Sequence, residues 1–301
     1  MKIHSTSLFK NSVDGKQFLE NWFEQVQQLN GKTYEKITVQ SLLGETVVWG
    51  INTERADLKT LVIFPGFRTC SMFWDFNNAL VSIKKNYRVY LVDTNGQPCL
   101  SAGNTPDIKS DDYGIWAADL LDKLSIKKAV VAGASFGGLV CLKLAMIAPE
   151  KAEKVVLLNP GCLAPFSLSA KNLYYNMLPI FFPTEKNVTR FLDHAVFYKN
   201  HHALTGKAKE LIRDYELFVL KNYVDKAQKP YAMNKKELSR VNADVYLIVG
   251  EKDLLFPYQK SVSIAKNNIA RLKETYALAS TGHGIETSAE AISILKKIME
   301  I

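Results

Sequence analysis

Cysteine is scarce in this 301-residue chain: there are four, Cys70, Cys99, Cys141 and Cys162. Their spacing fits no zinc-ligand pattern, which argues against a cysteine-built metal site. Each lies in or beside an apolar segment, so buried, reduced thiols in a cytoplasmic protein are expected. No low-complexity tract and no internal repeat is present, and charged residues make up only 23%, a composition that does not suit a disordered chain. The N-terminal MKIHSTSLFK has no apolar signal core. The one long apolar window, Ala129–Pro149, is broken by Gly133, Gly137, Gly138 and Lys143. It reads as strand, turn and helix, and no membrane span is expected. Lys and Arg never run longer than two. The formal charge of +8 comes mostly from residues 163–240, with 13 Lys/Arg against 7 Asp/Glu, while the remainder has 25 against 23. A solvated basic surface fits that dilution better than a nucleic-acid site.

What is present is a chain with 47% hydrophobic residues, ample for one large α/β domain or two small ones. Residues Gly15–Leu29 place Phe18, Trp22, Val26 and Leu29 on one helical face, ended by Asn30-Gly31. Two alternating segments, Thr33–Gln40 and Glu45–Asn52, predict an antiparallel pair. The next strands are different. Leu61–Phe64, Arg88–Val92, Ala129–Ala132, Val155–Leu158 and Val245–Val249 are short, β-branched and apolar throughout. Strands apolar on both faces belong to a parallel sheet covered on each side. Helices are predicted at about Met72–Lys84, Ser110–Lys123, Gly138–Ile147 and Gln259–Asn267. The alternation predicts an α/β fold with a doubly wound, mostly parallel sheet. A last strand, Glu274–Leu278, precedes a helix opened by a capping-box pattern, Thr287 to Glu290. Between Val155–Leu158 and Val245–Val249 lie about 85 residues, where one crossover needs about a dozen. Helices near Ala170–Met177, Glu185–Phe197 and Lys207–Lys226 fill that interval. The expected organisation is a core of residues 1–162 and 237–301, with helix 15–30 appended, and a helical cap of residues 163–236.

Ser135 sits in Gly-Ala-Ser-Phe-Gly, between an apolar strand and an apolar helix. A tight strand-to-helix turn forces its apex residue into a strained conformation. It also demands small residues two before and two after. The hydroxyl is lifted above the sheet edge, and the next helix points its N-terminus at whatever the serine attacks. A serine needs a base. Of His4, His194, His201, His202 and His283, only His283 follows a sheet strand, in Thr281-Gly-His-Gly. The base in turn needs an orienting carboxylate. Asp253 follows the Val245–Val249 strand; Glu251 and the uncharged Asn159 occupy competing positions.

Gly133–Gly137, Gly-Glu-Lys-Asp ending at Asp253, and Gly-His-Gly around His283 together resemble the α/β-hydrolase superfamily, over essentially residues 34–301. The resemblance implies the α/β-hydrolase fold with a lid in place of the helical insert. It implies a catalytic triad of Ser135, Asp253 and His283, and an oxyanion hole made by the backbone amides of Phe136 and Phe67. Many members carry His-Gly where this chain has Pro65-Gly66. A serine ester hydrolase is the implied activity, with no cofactor, no metal and a small acyl compound as substrate. Acyl transfer, perhydrolysis, carbon–carbon bond hydrolysis and ligand reception without catalysis remain open on the same residues. Arg68 either grips an anionic group or holds loops together through carbonyls, the second being preferred. The insert's aromatics, Tyr174, Tyr175, Phe181, Phe182, Phe191, Phe197 and Phe218, are expected mostly in its own core. The loop Asp93–Ser101 departs from the family's glycine-rich version.

Overall fold

The computed structural model describes residues 1–198 and 204–301; His201 and His202 lie outside the described residues. Eight strands form one sheet: β1 Glu35–Ser41, β2 Gly44–Ile51, β3 Lys59–Phe64, β4 Tyr87–Val92, β5 Ala129–Ala134, β6 Ala152–Leu158, β7 Val245–Gly250 and β8 Leu272–Leu278. Their order across the sheet is β8-β7-β6-β5-β3-β4-β2-β1. From β4 to β8 every pairing is parallel; β1 with β2 and β2 with β4 are antiparallel. The fold is therefore the α/β-hydrolase fold, with a mostly parallel sheet flanked by helices.

Side chains alternate along each central strand. Leu61, Ile63, Val130 and Ala132 enter one apolar layer, and Val62, Phe64, Val131 and Leu157 the other. Helices α1 (Ser12–Asn30) and α8 (Ala289–Glu300) cover the first face. Helices α2 (Asp112–Lys123), α3 (Phe136–Ile147) and α7 (Tyr258–Asn268) cover the second. Helix α1 is N-capped by Asn11 and closed by Gly31 in the left-handed region, φ 57°. All four cysteines are free and buried. Among the described residues no helix is long and apolar enough to cross a membrane.

Two local expectations are corrected. Met72–Lys84 is not one helix. A 3₁₀ segment, Ser71–Asn78, breaks at Asn77 (φ 56°), and a separate turn follows at Val81–Lys84. Buried Asp75 accepts the Leu80 amide and pairs with Lys84, fixing the chain in that broken path. The last helix is capped by Ser288, not Thr287, which lies in a preceding 3₁₀ turn.

The segment between β6 and β7 carries α4 (Ala170–Phe181), α5 (Glu185–Phe191) and α6 (Gly206–Asn222). Helix α5 runs on into a π turn, Leu192–Val196. Helix α6 packs on α1, where Trp22 Nε1 donates to the Leu211 carbonyl at 2.8 Å. The aromatics of this segment divide. Phe218 stacks on Phe18 of α1 at 3.7 Å, and Tyr175 on His194. Phe191 and Phe197 face the cavity described below. Phe181 and Phe182 are 66% and 63% exposed. A local aromatic core is thus not what most of them build, because the segment is anchored on α1 and the sheet rim instead.

Candidate active site

Ser135 is the joint between β5 and α3, with φ 50° and ψ −111°. For a non-glycine residue that is strained, and the neighbours explain how it is enforced. A Cβ on Gly137 would lie 2.0 Å from the Phe64 carbonyl oxygen, and one on Gly133 2.2 Å from the Gly137 carbonyl carbon. Both close approaches involve backbone, which cannot give way. Gly137→Ala is therefore expected to destabilise the fold by about 3 kcal/mol or more, read from urea unfolding.

Asp253 and His283 lie on the loops after β7 and β8, on the same sheet edge as Ser135. His283 Nδ1 donates to Asp253 Oδ2 at 2.9 Å, and its Nε2 lies 3.1 Å from Ser135 Oγ. Asp253 Oδ1 accepts the amides of Leu255 and Phe256 at 2.7 and 3.1 Å, which fixes the carboxylate's direction. With Nδ1 carrying the proton, Nε2 is free to accept from the serine hydroxyl. Glu251 has no such contact with the ring. His4 and His194 are exposed and make no hydrogen bond to Ser135, His194 lying against Tyr175.

Burial opposes charge on the His283 ring. Asp253 at hydrogen-bond distance more than offsets this, and Glu286 adds to it, so the ring holds its proton above the usual 6.5. Glu286 is itself buried, which pushes its carboxyl up to about 7.

The loop after β3 closes the other side of the serine. A Cβ on Gly66 would lie 3.6 Å from Ser135 Cβ. Among the described residues, neither the Phe67 amide nor the Phe136 amide has an acceptor in the protein. Phe136 opens α3, where the first amides are left unbonded by helix geometry. Arg68 donates its amide to Gln97 Oε1 at 2.7 Å and its Nε to Asp225 Oδ2 at 3.1 Å. It ties loops together, through a carboxylate and an amide where carbonyls were expected. Asp93, Asn95 and Ser101 are spent on internal hydrogen bonds, and no residue of 93–101 lines the cavity.

Above Ser135 is a cavity of about 370 Å³. Its wall is apolar, with Phe73, Phe166, Phe191, Phe197, Ile212 and Phe256 among its residues, and it takes in Ser135 and His283. A more open groove of about 520 Å³ between α7 and β8 contains none of these groups.

Three residues of this region had no functional reading in the sequence or a different one. Asn159, at the end of β6 with φ 40°, holds the histidine loop. Its Oδ1 accepts the Gly250 amide at 2.7 Å; its Nδ2 donates to the carbonyls of Gly282 and His283 at 2.8 and 3.1 Å. Only an amide both donates and accepts in this way. Asn159→Asp is expected to cost about 2 kcal/mol in urea unfolding, no less than Asn159→Ala, since a carboxylate faces two carbonyls with no proton to give. Glu286 follows His283 by three residues, and Glu216 comes from α6; both line the cavity. Glu286 has a local signal, a carboxylate three residues past His283 in the same loop. Glu216 had no local signal.

The family model of the alpha/beta hydrolase fold matches residues 59–285. The carboxylesterase nap of Bacillus subtilis (strain 168) is 25% identical over 294 residues, covering 94% of this chain and 91% of that relative. A 2-hydroxy-6-oxononadienedioate/2-hydroxy-6-oxononatrienedioate hydrolase of Cupriavidus pinatubonensis (strain JMP 134 / LMG 1197) is 25% identical over 224 residues, 68% of this chain and 74% of that relative. The crystal structure of naproxen esterase from Bacillus subtilis superposes with a TM-score of 0.78 at 19% identity, over 95% of this chain and 98% of that one. The matched segment runs from the start of β3 through Ser135, Asp253 and His283 to residue 285, and the chain belongs to the alpha/beta hydrolase fold family.

Proposed function

We propose that this protein is a serine hydrolase that cleaves a carboxylic ester through an acyl-enzyme. The observation that carries the reading is the continuous hydrogen-bonded line from Asp253 through His283 to Ser135, opening into a closed-over apolar cavity. Its similarity to a carboxylesterase along nearly the whole chain supports it.

In this reading His283 Nε2 takes the Ser135 proton as Oγ attacks the ester carbonyl. Negative charge on the carbonyl oxygen is met by the amides of Phe136 and Phe67, each worth about 3–4 kcal/mol. His283 then gives its proton to the leaving alcohol. Water, deprotonated by the same ring, attacks the acyl-enzyme, and Ser135 leaves with the acid released. The apolar wall suits an uncharged acyl or alcohol group beside the reacting carbonyl.

A fluorophosphonate probe tests this. It should form one covalent adduct, located on Ser135 by peptide mass spectrometry, and abolish turnover of a p-nitrophenyl ester. Folded protein that stays unlabelled would overturn the reading. A second reading, hydrolysis of a carbon–carbon bond next to a carbonyl, is favoured by the similarity to a dienedioate hydrolase. Product analysis with an ester and a vinylogous diketone side by side separates the two.

The raised proton affinity of His283 sets the pH dependence. The ring is a base only when neutral, and its charged form persists above 6.5. The acid limb of kcat/KM is therefore expected to have its midpoint above that value. Glu286→Gln removes one of the two negative groups facing the ring and should move that midpoint to lower pH; Asp253 is the other.

A further inference from the structure

We propose that Glu216 makes the cavity selective for an acyl substrate that carries a basic amine, whose N–H it binds away from the reacting carbonyl. This rests on the hydrolase reading of the site.

Glu216 projects from α6, is 8% exposed, and lines the same cavity as Ser135 and His283. Among the described residues its carboxyl has no hydrogen-bond or ion-pair partner. Ile212 and Leu220, one turn to either side on α6, line the same cavity, so the carboxyl stands in an otherwise apolar wall. Neither oxygen is among the side-chain atoms sealed away without a partner, so the carboxyl opens onto the cavity, where a structural role would have supplied it with a protein donor. It caps no helix and bridges no loops. The candidate cation is Arg68, which lines the same cavity and is close enough to be felt by Glu216; its Nε is bonded to Asp225 at 3.1 Å, and no hydrogen bond or ion pair joins its guanidinium to Glu216. Lys229 also lines the cavity but is solvent-exposed, where its charge is screened.

The missing partner is therefore a donor that arrives with the ligand. An ammonium fits best. It has charge as well as N–H, and its entry restores the ionised carboxylate that burial resists. Burial, only partly opposed by Arg68, pushes Glu216 up to about 7, so much of it is neutral near neutral pH and desolvation of a full charge is avoided. A substrate carboxylate would face Glu216 with like charge.

Glu216 also differs from Glu286 in what it faces. Glu286 acts on the His283 ring; Glu216 does not appear among the charges that shift that ring, and itself answers to Arg68. Its contact with substrate is thus one of recognition and not of proton transfer.

The test compares two p-nitrophenyl esters of matched shape, 6-(dimethylamino)hexanoate and 7-methyloctanoate, with shorter and longer pairs built the same way. The readout is the kcat/KM ratio of amine to carbon isostere within each protein, so a general loss of activity cancels. In the native protein the best-fitting pair should favour the amine by about tenfold or more. In E216Q that ratio should fall by about tenfold. E216L, which suits an apolar wall and covers the case where glutamine disturbs the fold, should lose the preference as well. The proposal is overturned if the isostere is preferred at every length, or if both variants keep the native ratio. If no ester is hydrolysed in a Ser135-dependent way, the hydrolase reading itself fails, a result distinct from hydrolysis without amine preference.

Discussion

Ser135→Ala is expected to lower kcat on a soluble p-nitrophenyl ester by on the order of 10⁶-fold, with no loss of fold stability. The hydroxyl is the only group removed, and among the described residues its side-chain hydrogen bond is with His283 Nε2. Alanine in place of serine leaves the strained turn intact, since Gly133 and Gly137 enforce it from outside. The residual rate should come from the Phe136 and Phe67 amides and from binding in the cavity, neither of which the change touches. His283→Ala should cost a similar factor. The double variant should cost scarcely more than either alone, because the two side chains act as one unit. Additive losses would mean that they serve separate steps, and the acyl-enzyme reading would not survive that. The measurement is steady-state turnover of single and double variants, with urea unfolding as the control.

What the sequence makes legible here is what is local in the fold. The turn at Ser135 is a local object. Its requirements, small residues at Gly133 and Gly137 and an apolar strand and helix around them, all fall within a dozen positions. The end of β7 is equally local, since a fully apolar strand stops visibly at Gly250 and Glu251-Lys-Asp follows; β8 is more polar, and its end is marked by the loop Ser280-Thr-Gly-His-Gly. Relations across the chain were not readable. Asn159 was weighed only as a poor substitute for a carboxylate. Its work is to bind three backbone groups, one at the end of β7 and two in the loop after β8, which no sequence spacing encodes. Glu216 reaches the cavity only because α6 is held on α1 by Trp22 and Tyr215. The break at Asn77 escaped the 3.6-residue periodicity because Asp75 and Lys84, buried together, override it. Phe181 and Phe182 looked like core by composition and are exposed, because α4 is anchored by its other face.

Asp253→Asn is expected to lower kcat by on the order of 10⁴-fold while leaving the fold nearly as stable. Asparagine still offers an oxygen to the amides of Leu255 and Phe256, so the loop keeps its shape. The group facing His283 Nδ1 then becomes an N–H₂. Two donors cannot share that contact, so the ring turns to the tautomer with its proton on Nε2. That nitrogen faces Ser135 Oγ at 3.1 Å and, once protonated, has no lone pair for the serine proton. Glu286 does not rescue the variant. It acts on the ring through its charge, while its carboxyl makes no hydrogen bond to Nδ1 or Nε2. Two measurements follow. Turnover of Asp253→Asn should recover partly at high pH, where hydroxide itself can take the Ser135 proton that a ring protonated on Nε2 cannot accept. The Asp253→Asn, Glu286→Gln double variant should be no slower than Asp253→Asn alone. A further large drop in the double variant would make Glu286, and not Asp253, the carboxylate that orients the base.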